Sequence, residues 1–326
     1  MFQNMNSDNM NSNIDDCCGI FKKIEKKPSP TLEQILGNMV DCYSVKIIDL
    51  SRNNLDILPD LSMYINLEEL ICNFNNLKTL GKLPPNIKKI ECIENKIDSF
   101  DNLPPNLEHF NCQDNIATKL DKMPPTLKTL QCSHNRIEIL DNLPLHLNEL
   151  ICQYNNISDL NNLPPHLKIL DCSHNKINTL DNLSLHLTTL YCSSNNIRSL
   201  NNLPEDLKIL VCSCNKLTSL CNIPRNIKVL SCHENNISIL GELPPTLEIL
   251  QCQRNKLTTL GFIPQNLKTL LCSDNQLTSL DSFPNTITFI FCYNNCFTYD
   301  FVPTIENLRN YYTTNNDNST KRKRSS

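Results

Sequence analysis

Cysteine recurs every twenty residues through most of this 326-residue chain, and that period restricts the fold more than any other feature. Asn follows three residues after each of these cysteines, and no insertion interrupts the series. The earlier segment VKIIDLSRNNLDIL has Leu50 and Asn53 in the corresponding places, which brings the count to thirteen units. Tandem units of this length predict a solenoid, because each unit can bury its apolar face only against its neighbours. The twelve cysteines are Cys72, Cys92, Cys112, Cys132, Cys152, Cys172, Cys192, Cys212, Cys232, Cys252, Cys272 and Cys292.

The units share the frame L-x-x-L-x-C-x-x-N-x-L-x-x-L-x-x-L-P-P-x. In L-x-x-L-x-C the apolar residues alternate as they do in a short, half-buried β-strand. The remaining residues are too few for a stable helix. Leu-Pro-Pro favours extended polyproline geometry, with the prolines away from the strand ladder. A side-chain amide both donates and accepts hydrogen bonds, so we expect the recurring Asn residues to satisfy buried turn groups in neighbouring units.

This frame resembles that of the leucine-rich-repeat family, L-x-x-L-x-L-x-x-N-x-L, with Cys in the third apolar place. The twenty-residue, proline-ended unit is most similar to the short repeats of bacterial effector proteins. The Asn-rich, Cys-substituted version also resembles leucine-rich-repeat proteins of giant amoeba-infecting, mimivirus-like viruses. The resemblance implies an α/β-type repeat solenoid, a horseshoe with short parallel strands on the concave face. It also implies extended polyproline-like segments on the convex face and little helix.

The ends of the chain depart from the repeat. Ser29-Pro30 followed by TLEQILGNMV is typical of a capped amphipathic helix, and the frame breaks at Asp300, where Leu is expected. Asn- and charge-rich stretches flank these segments and predict disorder. We therefore predict a disordered leader over 1–28, a capping helix over 29–44, the solenoid over 45–298, a C-terminal cap over 299–312 and a disordered basic tail over 313–326.

Composition narrows the function classes. Only 5 Gly residues occur, too few for glycine-rich phosphate loops, and no metalloprotease or serine-hydrolase motif is present. We therefore expect no catalysis, no cofactor, no metal and no small-molecule substrate. A net charge of −4 does not favour nucleic acid, for which the short basic tail Lys321–Arg324 is the one candidate contact.

The first residues lack a signal-peptide pattern, and no apolar run is long enough to span a membrane. We expect an intracellular protein with reduced thiols, located in the cytoplasm, or in the host cytoplasm if it is viral. The tail Lys321–Arg324 is either a nuclear localisation signal, an RNA contact or a solubilising end.

The cysteine series has two interpretations. Metal storage would need converging ligands, and redox sensing would need cysteine side chains directed at each other to form a disulfide. A flat ladder of parallel side chains provides neither. A small polarisable hydrophobe in the core is the interpretation we favour, and Leu50 in the equivalent place supports it. Cys214, Cys221, Cys232 and His233 lie close in sequence, and a three-ligand site there has only weak support.

Three histidines, His146, His166 and His186, occupy the same place in successive units. They are predicted to form a column in which neighbouring imidazoles titrate together. Three separately solvated side chains are the alternative, which the Asn and Thr residues found there in other units favour.

Leucine-rich repeats usually bind partners through the strand face, so the outward strand positions are the candidate site. In the early units these positions are polar, and toward the C-terminus they become apolar, which is typical of an interface; strand propensity alone is the alternative explanation. We expect a monomeric, non-catalytic scaffold that binds a protein partner. An adaptor for a host ubiquitin ligase, docking through residues 29–44, and a cysteine-rich metal-binding protein are the alternatives. The candidate residues are Ile169, Tyr191, Ile209, Val211, Val229, Ile249, Leu271, Phe289 and Phe291.

Overall fold

A computed structural model describes residues 41–280 and 283–324, and it contains thirteen short strands and one helix within them. Each strand is three residues long and ends just before the cysteine of its unit, or before Leu50 in the first unit. The strands are β1 (Ile47–Asp49), β2 (Glu69–Ile71), β3 (Lys89–Glu91), β4 (His109–Asn111), β5 (Thr129–Gln131), β6 (Glu149–Ile151), β7 (Ile169–Asp171), β8 (Thr189–Tyr191), β9 (Ile209–Val211), β10 (Val229–Ser231), β11 (Ile249–Gln251), β12 (Thr269–Leu271) and β13 (Phe289–Phe291). The helix is α1 (Ile305–Arg324).

The thirteen strands form one parallel sheet in chain order, as the repeat predicts. Pairing joins equivalent residues of successive units, for example Val229 with Ile209 on one side and Ile249 on the other. The middle residue of a strand points into the core, and the first and third residues face outward and are half-buried in most strands. The twenty-residue period is therefore the register of the sheet.

The core is a stack of similar layers, built mostly of Leu, Ile and Cys side chains. Ladder cysteines from Cys72 to Cys272 are 0% exposed, and Cys292 at the end is 5% exposed. Some of the thiols donate to a carbonyl of the next unit, as Cys172 Sγ does to the Tyr191 oxygen at 3.4 Å. Inside the solenoid, these cysteines act as small core residues.

The recurring Asn connects each unit to the one before it. Asn175 Nδ2 donates to the carbonyl of Cys172 in its own unit and to that of Cys152 in the preceding unit, each at 3.0 Å. Its Oδ1 accepts from the backbone N–H of Ile157 at 2.9 Å. The same set recurs at Asn195, where both roles of the amide are again used. This confirms the turn role predicted from the amide chemistry.

The convex side is built from turns as well as extended segments. The first proline of Leu-Pro-Pro accepts a hydrogen bond from the N–H three residues later, as Pro104 does from Leu107 at 3.2 Å. Just before it, the backbone is left-handed, at Asn162 (φ 65°) in one unit and Gly261 (φ 65°) in another. Asn and Gly tolerate this conformation better than other residues, so backbone geometry explains part of the Asn content.

The C-terminal end of the core is covered by α1 and the loop before it. Leu308 is fully buried, and Arg309 Nη2 donates to the carbonyl of Ile287 at 2.9 Å. The hydroxyl of Tyr299 lies 2.9 Å from that of Tyr312. Leu308 and Arg309 thus lie against the last repeats, and a C-terminal cap with the bounds 299–312 stays a prediction.

In the described residues, α1 continues as far as Arg324, into the segment 313–326 for which the sequence predicts a disordered tail. That disorder stays a prediction. Thr304 Oγ1 accepts a hydrogen bond from the N–H of Asn307 at 3.2 Å and caps the start of the helix. Once a helix has started, adding further residues to it costs less than nucleating a new one. The leader over 1–28 and most of the predicted capping helix, up to residue 40, lie outside the described residues. Residues 42–44 of that segment form a turn.

Candidate protein-binding face

The first and third residues of the thirteen strands form two parallel columns on the concave face. Because successive strands are paired in register, a side chain in one unit lies directly beside its equivalent in the next. All nine candidate residues from the sequence fall in these columns. Seven are half-buried, whereas Phe289 and Phe291 on the last strand are 47% and 48% exposed.

The later units bring these apolar residues together in two groups. Ile209, Val229 and Ile249 are consecutive in the column of first strand residues. Tyr191 is paired with Val211 in the column of third strand residues. The column of third strand residues is then interrupted by two polar residues, Ser231 and Gln251. They lie on adjacent strands and hydrogen-bond to each other at 2.9 Å. Ile169 is separated from the first group by Thr189.

The second group lies at the C-terminal end of the sheet. Leu271 is paired with Phe291, and the rings of Phe289 and Phe291 meet edge to face with centroids 5.0 Å apart. Tyr293 follows at 6.0 Å from Phe291 and is 58% exposed. In this aromatic cluster, Phe289, Phe291 and Tyr293, three neighbouring rings are each at least 47% exposed.

The early units differ because their outward residues satisfy one another. Lys89 bridges Glu69 at 2.7 Å and Glu91 at 2.8 Å. Hydrogen bonding to the Lys89 ammonium lowers the pKa of Glu91, and bonding to Glu69 raises the pKa of Lys89. Asn111 Nδ2 donates to Gln131 Oε1 at 2.8 Å. These polar groups already have partners, so this half of the face gains less from a new contact than the apolar half.

No protein-family model and no curated protein sequence matches the chain. Solved structures do. The chain is similar to the leucine-rich effector protein YopM from Yersinia pestis, with a TM-score of 0.68 and 27% identity, over 78% of this chain and 80% of that one. It is also similar to a functional domain of InlJ from Listeria monocytogenes that includes a cysteine ladder, with a TM-score of 0.67 and 28% identity, over 79% of this chain and 65% of that one.

This is a leucine-rich-repeat fold. The LRIM1/APL1C complex, at 22% identity and a TM-score of 0.66 over 77% of this chain and 52% of that one, has the same fold. The resemblance read from the repeat frame is thereby confirmed at the level of the fold, and the similarity to viral proteins stays a prediction. Within the described residues of this leucine-rich-repeat chain, no helix is long and apolar enough to cross a lipid bilayer.

A separate column, the rim column, lies at the edge of the leucine-rich-repeat face, two residues after each cysteine. Every residue in it from Phe74 to Asn294 has a left-handed backbone, with φ between 51° and 57°. In the middle of the chain its side chains stack: Tyr154 lies between His134 and His174, with ring centroids 4.2 Å and 4.0 Å apart. Sequence reasoning treated this position as a variable surface site and missed the stack. An alignment of the units places these three residues in one column, and that is the sequence signal for the stack.

The predicted histidine column is only partly formed. His166 and His186 are stacked, with ring centroids 5.7 Å apart. Among the ring contacts of the described chain, His146 does not extend the stack. Of the two arrangements that the sequence leaves open, a full column or three separate side chains, the structure shows neither completely, since two of the three imidazoles are in contact.

The cysteine cluster considered from the sequence is rearranged in the structure. Cys232 is buried in the ladder and Cys221 is exposed on the convex turn, so neither joins Cys214. Instead, Cys214 lies beside His233 and Glu234, and their ligand atoms are all within 4.8 Å of one another. Glu234 was missed because it is distant from Cys214 in sequence, although it occupies the equivalent place in the next unit.

Proposed function

We propose that this chain is a non-catalytic scaffold that binds a protein partner on the apolar part of its concave face. The observation that carries the proposal is the contrast along the face. Outward residues pair with one another in the early units, whereas the later units present Ile209, Val229 and Ile249 in one column and the aromatic cluster at the end. Contiguous apolar surface surrounded by polar residues is typical of an interface.

The geometry of the fold supports this proposal. A parallel sheet fixes the positions of the outward side chains, so binding would order few groups and lose little conformational entropy. Aromatic residues dominate the energy of many interfaces, and here they lie exposed on the last strand. A chain with this fold occurs in the LRIM1/APL1C complex.

The test compares two matched double variants. Val211→Lys with Val229→Lys places two ammonium groups on β9 and β10, and Gln131→Lys with Glu149→Lys places them at the equivalent positions of β5 and β6. Folding should tolerate both, because Lys89 occupies an equivalent strand position with 41% of its side chain exposed. Circular dichroism and a urea titration check that both variants are folded.

Each tagged protein is used to capture partners from an extract of the native host, and these are identified by mass spectrometry. We expect the first variant to lose the partner and the second to retain it. Equal capture by both variants would contradict the proposal. Ubiquitin-ligase subunits retained by both variants would instead favour the adaptor alternative. The monomeric state and the intracellular location stay predictions.

A further inference from the structure

Cys214, His233 and Glu234 bring three different metal-binding groups together at the rim of the concave face. Their ligand atoms lie within 4.8 Å of one another. The repeat creates this arrangement, because Cys214 and Glu234 occupy the same rim position in successive units, both with φ 54°. The N–H of Cys214 donates to the carbonyl of His233 at 2.9 Å, which fixes the two backbones relative to each other.

The chemistry of the three groups favours zinc. A thiolate, an imidazole and a carboxylate are the ligands that Zn²⁺ uses in proteins, at about 2.0–2.3 Å from the ion. Sulfur and nitrogen ligands disfavour Mg²⁺ and Ca²⁺, which prefer oxygen. The thiolate and the carboxylate together carry two negative charges, which match the charge of the ion.

A neighbouring residue already orients the carboxylate. Arg254 Nη1 donates to Glu234 Oε1 at 2.5 Å, and the other oxygen, Oε2, faces Cys214 Sγ at 3.3 Å. The arginine therefore uses one oxygen and leaves the other directed at the thiol. Outer partners of this kind fix the orientation of metal ligands. A bound ion would replace the proton that the Cys214 thiol shares with Glu234 Oε2.

We propose that Cys214, His233 and Glu234 bind one Zn²⁺ ion, with a fourth coordination position open to solvent. Glu234 has 40% of its side chain exposed and Cys214 is half-buried, so an ion can enter from solution and a water molecule can complete a tetrahedral set. The ladder thiols cannot compete, because they are buried under the sheet. The proposal is independent of partner binding on the apolar face.

The experiment titrates the reduced full-length protein with Zn²⁺ by calorimetry and with Co²⁺ by absorption spectroscopy. We expect one Zn²⁺ per chain and a thiolate-to-cobalt charge-transfer band. Cys214→Ser and His233→Gln should each weaken Zn²⁺ binding at least tenfold, and Cys214→Ser should abolish the charge-transfer band. Excess Mg²⁺ should not compete.

Three controls separate this site from other thiols outside the ladder. Cys221→Ser and Cys296→Ser remove exposed cysteines elsewhere in the solenoid, and Cys17→Ser with Cys18→Ser removes the pair near the N-terminus. All three controls should bind Zn²⁺ as the unmodified chain does. No stoichiometric Zn²⁺ binding at neutral pH would overturn the proposal. So would binding that survives Cys214→Ser but is lost in one of the controls. Since all substituted positions in the solenoid are at least partly exposed, circular dichroism should show an unchanged fold.

Discussion

Moderately alkaline pH is expected to unfold this protein, because its ladder thiols are buried. Desolvation raises the pKa of Cys72, Cys132 and Cys212 to about 12, and that of Cys292 to about 11, from an ordinary value of 9.0. The other ladder cysteines are shifted in the same direction and for the same reason. In the folded chain these thiols stay protonated at a pH where they ionise in the unfolded chain.

The sign of the effect follows from proton binding. Above about pH 9 the unfolded state holds fewer protons than the folded state, so the free energy of unfolding falls as the pH rises. At pH 9 half of the unfolded thiols are ionised, which costs about 0.4 kcal/mol per thiol, and at pH 10 the loss is about 1.4 kcal/mol. Summed over the twelve cysteines, the loss is about 5 kcal/mol at pH 9 and about 17 kcal/mol at pH 10. The second figure is comparable to the whole stability of a typical domain, about 5–15 kcal/mol.

The assay is a urea titration at pH 7.5 and pH 9 under reducing conditions, followed by far-ultraviolet circular dichroism. One variant replaces Cys152, Cys172, Cys192 and Cys212 by Ala, and its matched control replaces four cysteines outside the ladder by Ser. The first should lose about a third less stability than the unmodified chain between the two pH values, since eight ladder thiols remain. The control should lose nearly as much as the unmodified chain, the small difference coming from Cys214, whose pKa is also raised by burial. Stability that does not change up to pH 10, or an identical pH dependence in both variants, would refute the reasoning. The control positions are Cys42, Cys214, Cys221 and Cys296.

Three further predictions concern the backbone of the repeat and its end. Asn175→Leu leaves buried backbone groups in two units without partners and should lower the free energy of unfolding by about 3 kcal/mol or more. Its control, Asn202→Gly, lies at an exposed left-handed position and should change that free energy by less than about 0.5 kcal/mol. The same urea titration measures both. Gly241→Ala and Gly261→Ala both place a side chain at positive φ, which should lower the free energy of unfolding by about 1–2 kcal/mol in each case. Only the Gly241 change also puts Cβ 2.9 Å from a backbone oxygen. Gly241→Ala should therefore lower the thermal midpoint more, and equal shifts would contradict this. Leu308→Ala removes the fully buried side chain of α1 and should destabilise the chain by about 2–5 kcal/mol, measured by urea unfolding; a loss below about 1 kcal/mol would mean that the helix does not cover the core.

The period carried most of the fold because it determines strand position, register and core composition together. Once Cys72 and its equivalents are separated by twenty residues, pairing in register follows, since a slip by one residue would turn every Leu outward. The role of the recurring Asn was also predictable, because an amide is the side chain that both donates and accepts at a turn.

Contacts between units were harder to predict. The stack of His134, Tyr154 and His174, and the meeting of Cys214 with Glu234, depend on neighbours twenty residues apart that no local motif identifies. The extent of α1 depends on propagation from a capped start, which composition does not describe. The identity of a partner depends on the complementary surface of another molecule, to which this sequence contributes only half.

The bridging amides also bear on how such a gene can change. Most boundaries between consecutive units contain the same bonds, since each Asn reaches back to the carbonyl of the preceding cysteine. A recombination event that copies or deletes one whole unit keeps the reading frame, and the new junction has the same partners on both sides. The number of repeats can therefore change by duplication or deletion of single units, and the concave surface can gain or lose one strand while the fold stays the same.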